Sequence, residues 1–133
     1  MSADHFFDSN VLIYLFSGDG TKANGAEQLL SQGGVISVQV LNEFASVATR
    51  KAGMSSAEVR EALEPIRAIC TVYPLTEEIH DLGMQLTERY RLSIYDAMII
   101  GSALAAGCKT LFSEDMQDGQ IIERKLCIRN PFR

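Results

Sequence analysis

The sequence lacks most of what marks the common specialised classes of protein. It has only three cysteines, Cys70, Cys108 and Cys127. Their odd number and spacing fit neither a disulfide framework nor a zinc site, so buried free thiols in a reducing compartment are expected. The two histidines, His5 and His80, have no carboxylate or cysteine at ligand spacing and read as surface or internally satisfied side chains. No apolar run reaches the roughly 18 residues that span a bilayer. No charged segment leads into an apolar one near the N-terminus, so no signal peptide is expected. A cytoplasmic location and no membrane partner are the corresponding expectations. There is no glycine-rich phosphate loop, no serine set in a nucleophile elbow, and no repeat or low-complexity tract. A basic excess is missing too: 12 Lys and Arg stand against 17 Asp and Glu, a net charge of −5. That argues against a general nucleic-acid binder, which carries a basic footprint. It leaves room for an enzyme that meets phosphate through cations held on clustered acids.

What is present is an ordinary globular composition, 47% hydrophobic and 22% charged over 133 residues. One domain over residues 1–133 with a sizeable core is expected. The stretch that organises the chain is residues 93–107, nearly all apolar or small from Ala97 to Ala106. A helix that is apolar all round is a buried helix, and Gly107 is its stop signal. Its one charge is Asp96, with Ile99 and Ile100 at the i+3 and i+4 positions. An ionised carboxylate beside that much apolar surface needs a partner. One candidate is local, since Ser93-x-x-Asp96 has capping-box spacing and the helix dipole favours an acid in the first turn. The other is a metal ion.

Strand and helix patterns alternate along the rest of the chain. His5-Phe6-Phe7 reads as a buried strand ending at a polar turn, Asp8-Ser9-Asn10, from which a short helix opens. Residues 22–32 read as a helix with Ala23, Ala26, Leu29 and Leu30 on one side. Residues 35–38 form a second strand, and 39–51 a helix with Val40, Phe44, Val47 and Ala48 on its stripe. Glu43 lies three after Val40 and four before Val47, so it points to the buried face. Arg50 reaches it only by bridging two turns. Ser55-x-x-Glu58 is a capping box for a helix to about residue 68. Residues 69–73 form a third strand before Pro74, Thr76 caps the next helix, residues 109–113 form a fourth strand, and 126–128 a short fifth. This alternation predicts an α/β fold with a mainly parallel sheet covered on both faces.

In such folds ligands bind beyond the carboxyl ends of the strands. Asp8 follows the first strand; Glu114, Asp115 and Asp118 follow the fourth. Glu43 lies one turn into the helix after the second strand, and Asp96 begins the helix that leads to the fourth. Each acid has a simpler role open to it, as a turn residue, a cap or a solvated loop acid. Together they cannot all stay ionised unaided. A pair at about 4 Å costs on the order of 4 kcal/mol at an effective dielectric near 20. Either protons bind or a cation sits among them, and all-oxygen ligation suits Mg²⁺ or Mn²⁺ rather than zinc. Hydrolysis or transfer at a phosphate is the chemistry such a site serves.

Five segments carry a resemblance that spans the whole chain. Phe7-Asp8-Ser9-Asn10, Leu41-Asn42-Glu43-Phe44, Ile94-Tyr95-Asp96-Ala97-Met98-Ile99-Ile100, the run from Leu111 through Ser113, Asp115 and Asp118 to Gly119, and Asn130-Pro131-Phe132 together resemble a PIN domain. The pattern is most similar to VapC-like toxin ribonucleases of toxin–antitoxin pairs. The resemblance implies a three-layer α/β/α sandwich about a sheet of about five strands, and a Mg²⁺- or Mn²⁺-dependent endoribonuclease. Carried over, Asp8, Glu43 and Asp96 match the acidic triad that holds the metal, and Asp115 the fourth acid. Ser9 or Asn10 and Ser113 match the polar groups that orient the site and its water. Asp118 keeps two readings, a ligand to a second ion or a loop residue acting with Gly119, while Glu114 is expected to face solvent. The implied partners are an RNA substrate, a cognate antitoxin protein with a basic residue for the acidic pocket, and a second copy in a homodimer.

Two other readings stay open. A metal-dependent phosphatase or a phosphoacceptor domain also places an Asp after the first strand. The phosphatase pattern wants a second Asp where Asn10 stands, and the phosphoacceptor wants a late lysine beside the acids. A non-catalytic interaction module of the same fold is the other. The RNA target is not written in these residues, since shape and loops set it.

Overall fold

The computed structural model describes residues 4–133. Short apolar runs become strands: β1 (His5–Phe7), β2 (Gly34–Ser37), β3 (Cys70–Tyr73), β4 (Thr110–Phe112), β5 (Ile121–Ile122) and β6 (Leu126–Arg129). They form one sheet in the order β3-β2-β1-β4-β6-β5, parallel throughout except for the β5–β6 pair. Phe6 lies in register with Val35 on one side and Leu111 on the other, and Leu111 with Ile128. Phe6, Leu111 and Ile128 are wholly buried and Val35 nearly so. Continuous burial of neighbouring strands is what a parallel sheet between helix layers requires.

The helices are α1 (Ser9–Tyr14), α2 (Gly20–Ser31), α3 (Val38–Lys51), α4 (Ser56–Ile69), α5 (Glu77–Tyr90) and α6 (Ile94–Ala105). Side chains start them as the sequence predicts. Thr76 and Ser93 cap α5 and α6, and Ser55 forms a reciprocal capping box with Glu58 on α4. The connections β1→β2→β3 step one way across the sheet, and β3→β4 returns past β1. With right-handed crossovers, α1 to α4 cover one face and α5 and α6 the other, giving the three layers. In α6, residues 97–103 are all buried. Among the described residues, no helix is long and apolar enough to cross a membrane.

The sheet has six strands where the patterning gave about five. The extra strand, β5, turns back on β6 through Glu123 and Arg124, both at positive φ. Such turns normally carry glycine, asparagine or aspartate, so residues 121–125 give no hairpin signal. Contacts with α5 hold the turn instead. Arg89 pairs with Glu123 at 2.6 Å, and the Tyr90 hydroxyl bonds both the Glu123 carboxylate and its backbone N–H.

Candidate acidic site

The connections leave β1 and β4 in opposite directions across the sheet, so the strand order switches between these two neighbours and leaves a crevice beyond their carboxyl ends. Residues 8–10 and 113–115 line it. Asp8 is 3% exposed at the point where β1 gives way to α1. One of its oxygens accepts from the Ser9 backbone N–H at 2.7 Å; the other accepts from the Ser113 hydroxyl at 2.7 Å and the Asn10 amide at 3.3 Å. Burial pushes its pKa up to about 7, with Glu43 and Asp96 adding to the rise against the lowering effect of Ser113 and Ser9. Asp96, half-buried in the first turn of α6, is also raised, first by burial, then by Glu43 and also by Asp115.

Polar groups tie the acids together. The Ser9 hydroxyl donates to Glu43 at 3.0 Å, and Gln39 donates to the other Glu43 oxygen at 3.0 Å. The Asn10 amide donates to Asp115 at 3.2 Å as well as to Asp8. Its orientation is fixed, because its carbonyl accepts from the Glu114 backbone N–H at 3.2 Å. Ser113 is fully buried, and its oxygen accepts from the backbone N–H of Asp115 and of Met116. That leaves its proton for Asp8. Ser93 caps α6 through the Asp96 N–H at 3.1 Å, so the local capping role of this segment is real. It coexists with the electrostatic coupling of the Asp96 carboxylate to Glu43 and Asp115.

Asp8, Glu43, Asp96 and Asp115 thus share one electrostatic neighbourhood. Among the described residues, none of them forms an ion pair with Lys or Arg. Nor, among the described residues, do three His, Cys, Asp or Glu side chains close on a common point tightly enough to hold an ion as they stand. The reason is visible: Ser9 stands between Asp8 and Glu43, and Asn10 between Asp8 and Asp115. In kind, the donor set fits a hard divalent cation. It is all oxygen, it carries excess negative charge, and its charged form lacks compensation.

One placement, that of Glu114, differs from expectation, while the sequence leaves Asp118 and Arg50 open. Asp118 has no hydrogen bond to the four acids among the described residues. It accepts from the Asn130 backbone N–H at 2.8 Å and pairs with Arg133 at 3.6 Å, which fastens the loop after β4 to the C-terminal segment. Glu114 does not face solvent. It pairs with Lys22 at 2.8 Å and bonds the Tyr14 hydroxyl, and both partners hold its pKa below the usual carboxylate range. Arg50 does not reach Glu43; its Nε donates to Ser46. Sequence reading missed Gln39, although its place four residues before Glu43 on a helix is a usable signal. It also missed the Tyr14–Lys22–Glu114 clamp, whose members are distant in sequence.

The acids open onto a groove of about 880 Å³ lined by Ser9, Asn10, Gln39, Glu43, Tyr95 and Asp115, and continuing along α3 to Arg50 and Lys51. In an α/β fold the carboxyl ends of the strands at a switch in strand order are where ligands bind, and the carboxylates gather there. A PIN-domain family model matches residues 5–117, so the chain belongs to the PIN domain family. No curated protein matches the sequence. Solved structures show the same fold. A toxin–antitoxin complex from Klebsiella pneumoniae is 23% identical, with a TM-score of 0.71 over 96% of this chain and 97% of that one. The Mycobacterium tuberculosis toxin VapC20, described as cleaving the sarcin–ricin loop, is 16% identical, with a TM-score of 0.69 over 84% of this chain and 89% of that one. VapBC2 from Rickettsia felis, bound to a promoter DNA fragment, is 17% identical, with a TM-score of 0.68 over 95% and 97%.

Proposed function

We propose that residues 1–133 form one nuclease domain, a Mg²⁺- or Mn²⁺-dependent endoribonuclease that acts as the toxin of a toxin–antitoxin pair. The observation that carries this reading is the state of Asp8. It is buried, its pKa is raised to about 7, and neighbouring acids rather than a cation face it. Such a site gains most from a divalent ion. When bound, that ion supplies Lewis acidity toward a phosphate oxygen and lowers the pKa of a water. Asp8, Glu43, Asp96 and Asp115 would hold it. Ser113 and Asn10 keep the Asp8 carboxylate oriented, and Gln39 and Ser9 do the same for Glu43. Asp118 belongs to the loop in this reading.

The antitoxin proposal is supported by a neighbour described as a toxin–antitoxin complex and by the acidity of the site. A basic side chain of a partner would neutralise the acids as a cation does. A homodimer in the cytoplasm completes the proposal. A phosphoacceptor reading needs Asp8 free to attack, whereas both its oxygens hold hydrogen bonds at 3% exposure.

The test is cleavage of total RNA by purified protein with Mg²⁺, Mn²⁺ or EDTA, beside Asp96→Asn purified in the same way. Metal-dependent cleavage that falls by on the order of a hundredfold or more in the variant is expected. Equal cleavage by both proteins would remove Asp96 from the site, and phosphate covalently attached to Asp8 would replace the nuclease with a phosphoacceptor.

A further inference from the structure

The clamp of Tyr14, Lys22 and Glu114 lies one residue from the acids and has no part in holding a cation. Glu114 stands between Ser113 and Asp115, and its side chain goes to α1 and α2. There it accepts from the Tyr14 hydroxyl and from Lys22 Nζ at 2.8 Å, while Nζ also donates to the Tyr14 oxygen at 3.1 Å. The segment after β6 closes over this group. The Asn130 side chain accepts from the Phe132 backbone N–H at 2.9 Å, a local turn, and the Phe132 ring meets the Tyr14 ring edge-on at 4.8 Å. A Cβ on Gly25 would lie 3.8 Å from the Phe132 ring, so the ring rests on α2 as well. Lys22 Nζ is 4.6 Å from the centroid of the Tyr14 ring and 5.9 Å from that of Phe132, within reach of a cation–π contact.

An ion pair as exposed as Lys22–Glu114 adds little to stability, so what the clamp fixes matters more than its energy. The Glu114 backbone N–H donates to the Asn10 carbonyl oxygen at 3.2 Å, and that contact aims the Asn10 amide. The amide nitrogen lies 3.3 Å from Asp8, 3.4 Å from Ser113 and 3.2 Å from Asp115. Three acceptors share two amide protons, and all three contacts stand at or beyond the long end of the usual range. The Asn10 side chain is therefore steered from its carbonyl end. A shift of the Glu114 backbone would misplace both Asn10 and the adjoining Asp115. We infer that Lys22 and Phe132 are positioning residues, which with Tyr14 hold Glu114 and thereby set the Asn10 amide and Asp115 against Asp8. Neither lines the groove beside the acids, so neither is placed to touch a substrate. The inference rests on the metal-site reading, and one arm of its test needs no metal.

The experiment compares wild type, Lys22→Met, Lys22→Arg, Phe132→Ala and Tyr90→Phe, each checked by circular dichroism and thermal unfolding. Lys22→Met keeps the stem and loses the charge, and Lys22→Arg keeps charge and donors. Tyr90→Phe loosens an unrelated contact, between α5 and the β5–β6 turn. In metal-free protein, hydrogen exchange of the Asn10 side-chain amide is followed by ¹⁵N NMR. Mn²⁺ affinity is measured by calorimetry, and kcat and KM on RNA are measured in Mn²⁺. Lys22→Met and Phe132→Ala should speed exchange at the Asn10 amide and lower kcat with KM unchanged. They should also weaken Mn²⁺ binding on the order of tenfold, the low end for outer partners of metal ligands. Lys22→Arg should restore all these readouts, and Tyr90→Phe should leave them at wild-type values even where it lowers the melting temperature. Unchanged Mn²⁺ affinity in Lys22→Met would overturn the inference, whatever its Asn10 exchange. Equal losses in Tyr90→Phe would reduce the clamp to general stability and overturn it too. If wild type itself binds no Mn²⁺, the metal-site reading falls, and the Asn10 exchange alone decides: faster exchange in Lys22→Met sustains the positioning role, and unchanged exchange overturns it.

Discussion

At the scale of single residues, Asp8 concentrates the tension in the molecule. Its carboxyl ionises near pH 7 in the folded chain against an ordinary 3.8. Below about pH 4 both folded and unfolded chains hold the proton, and stability is unaffected. Between about pH 4 and 7 the folded chain keeps a proton that the unfolded chain has lost, so stability falls as pH rises; above 7 the full penalty applies. Three pH units correspond to on the order of 4 kcal/mol. Metal-free protein should therefore melt at a higher temperature at pH 5 than at pH 8. Asp8→Asn should remove most of that slope and raise the melting temperature at pH 8, which thermal unfolding in EDTA would show. Asp8 and Asp115 were legible because they follow strands, Asp96 because it lies in the first turn of a helix, and Glu43 because it falls on a helix's apolar stripe. Gln39, Tyr14 and Lys22 were not, because their partners are set by tertiary packing. Glu114 was misread as solvated because nothing local reveals Lys22, 92 residues away in sequence.

At the scale of elements, two features decide how the site is held. Gly34 opens β2 beside β1. A Cβ there would lie 2.8 Å from the His5 carbonyl oxygen and 2.5 Å from the Phe7 ring, both fixed in the sheet. Gly34→Ala should cost on the order of 1–3 kcal/mol, measured as a lower denaturation midpoint with unchanged slope. The loop after β4 is the second. The amide of Asp118→Asn can still accept from the Asn130 N–H, so the variant should fold and retain metal-dependent cleavage within about twofold, whereas Asp115→Asn should lose on the order of a hundredfold. Equal losses in the two would return Asp118 to the metal site. Every helix was legible from its periodicity and caps, and five of the six strands from short apolar runs. β5 was not, being two residues long and turned by Glu123 and Arg124, which Arg89 and Tyr90 hold in place.

At the scale of the whole molecule, the chain combines a net charge of −5 with a proposed polyanionic substrate. The combination is coherent only if divalent cations bridge the two. The switch in strand order between β1 and β4 brings the acids to one edge of the sheet, and the organising helix α6 delivers Asp96 there from the opposite layer. The most direct measurement is calorimetric titration of Mn²⁺ into the metal-free protein, at pH 7.5, for wild type, Asp8→Asn, Asp96→Asn and Asp118→Asn. Saturable binding by wild type and Asp118→Asn, abolished or strongly weakened in Asp8→Asn and Asp96→Asn, is the predicted result. Absence of binding, or equal binding by all four proteins, would contradict a cation site built on these carboxylates.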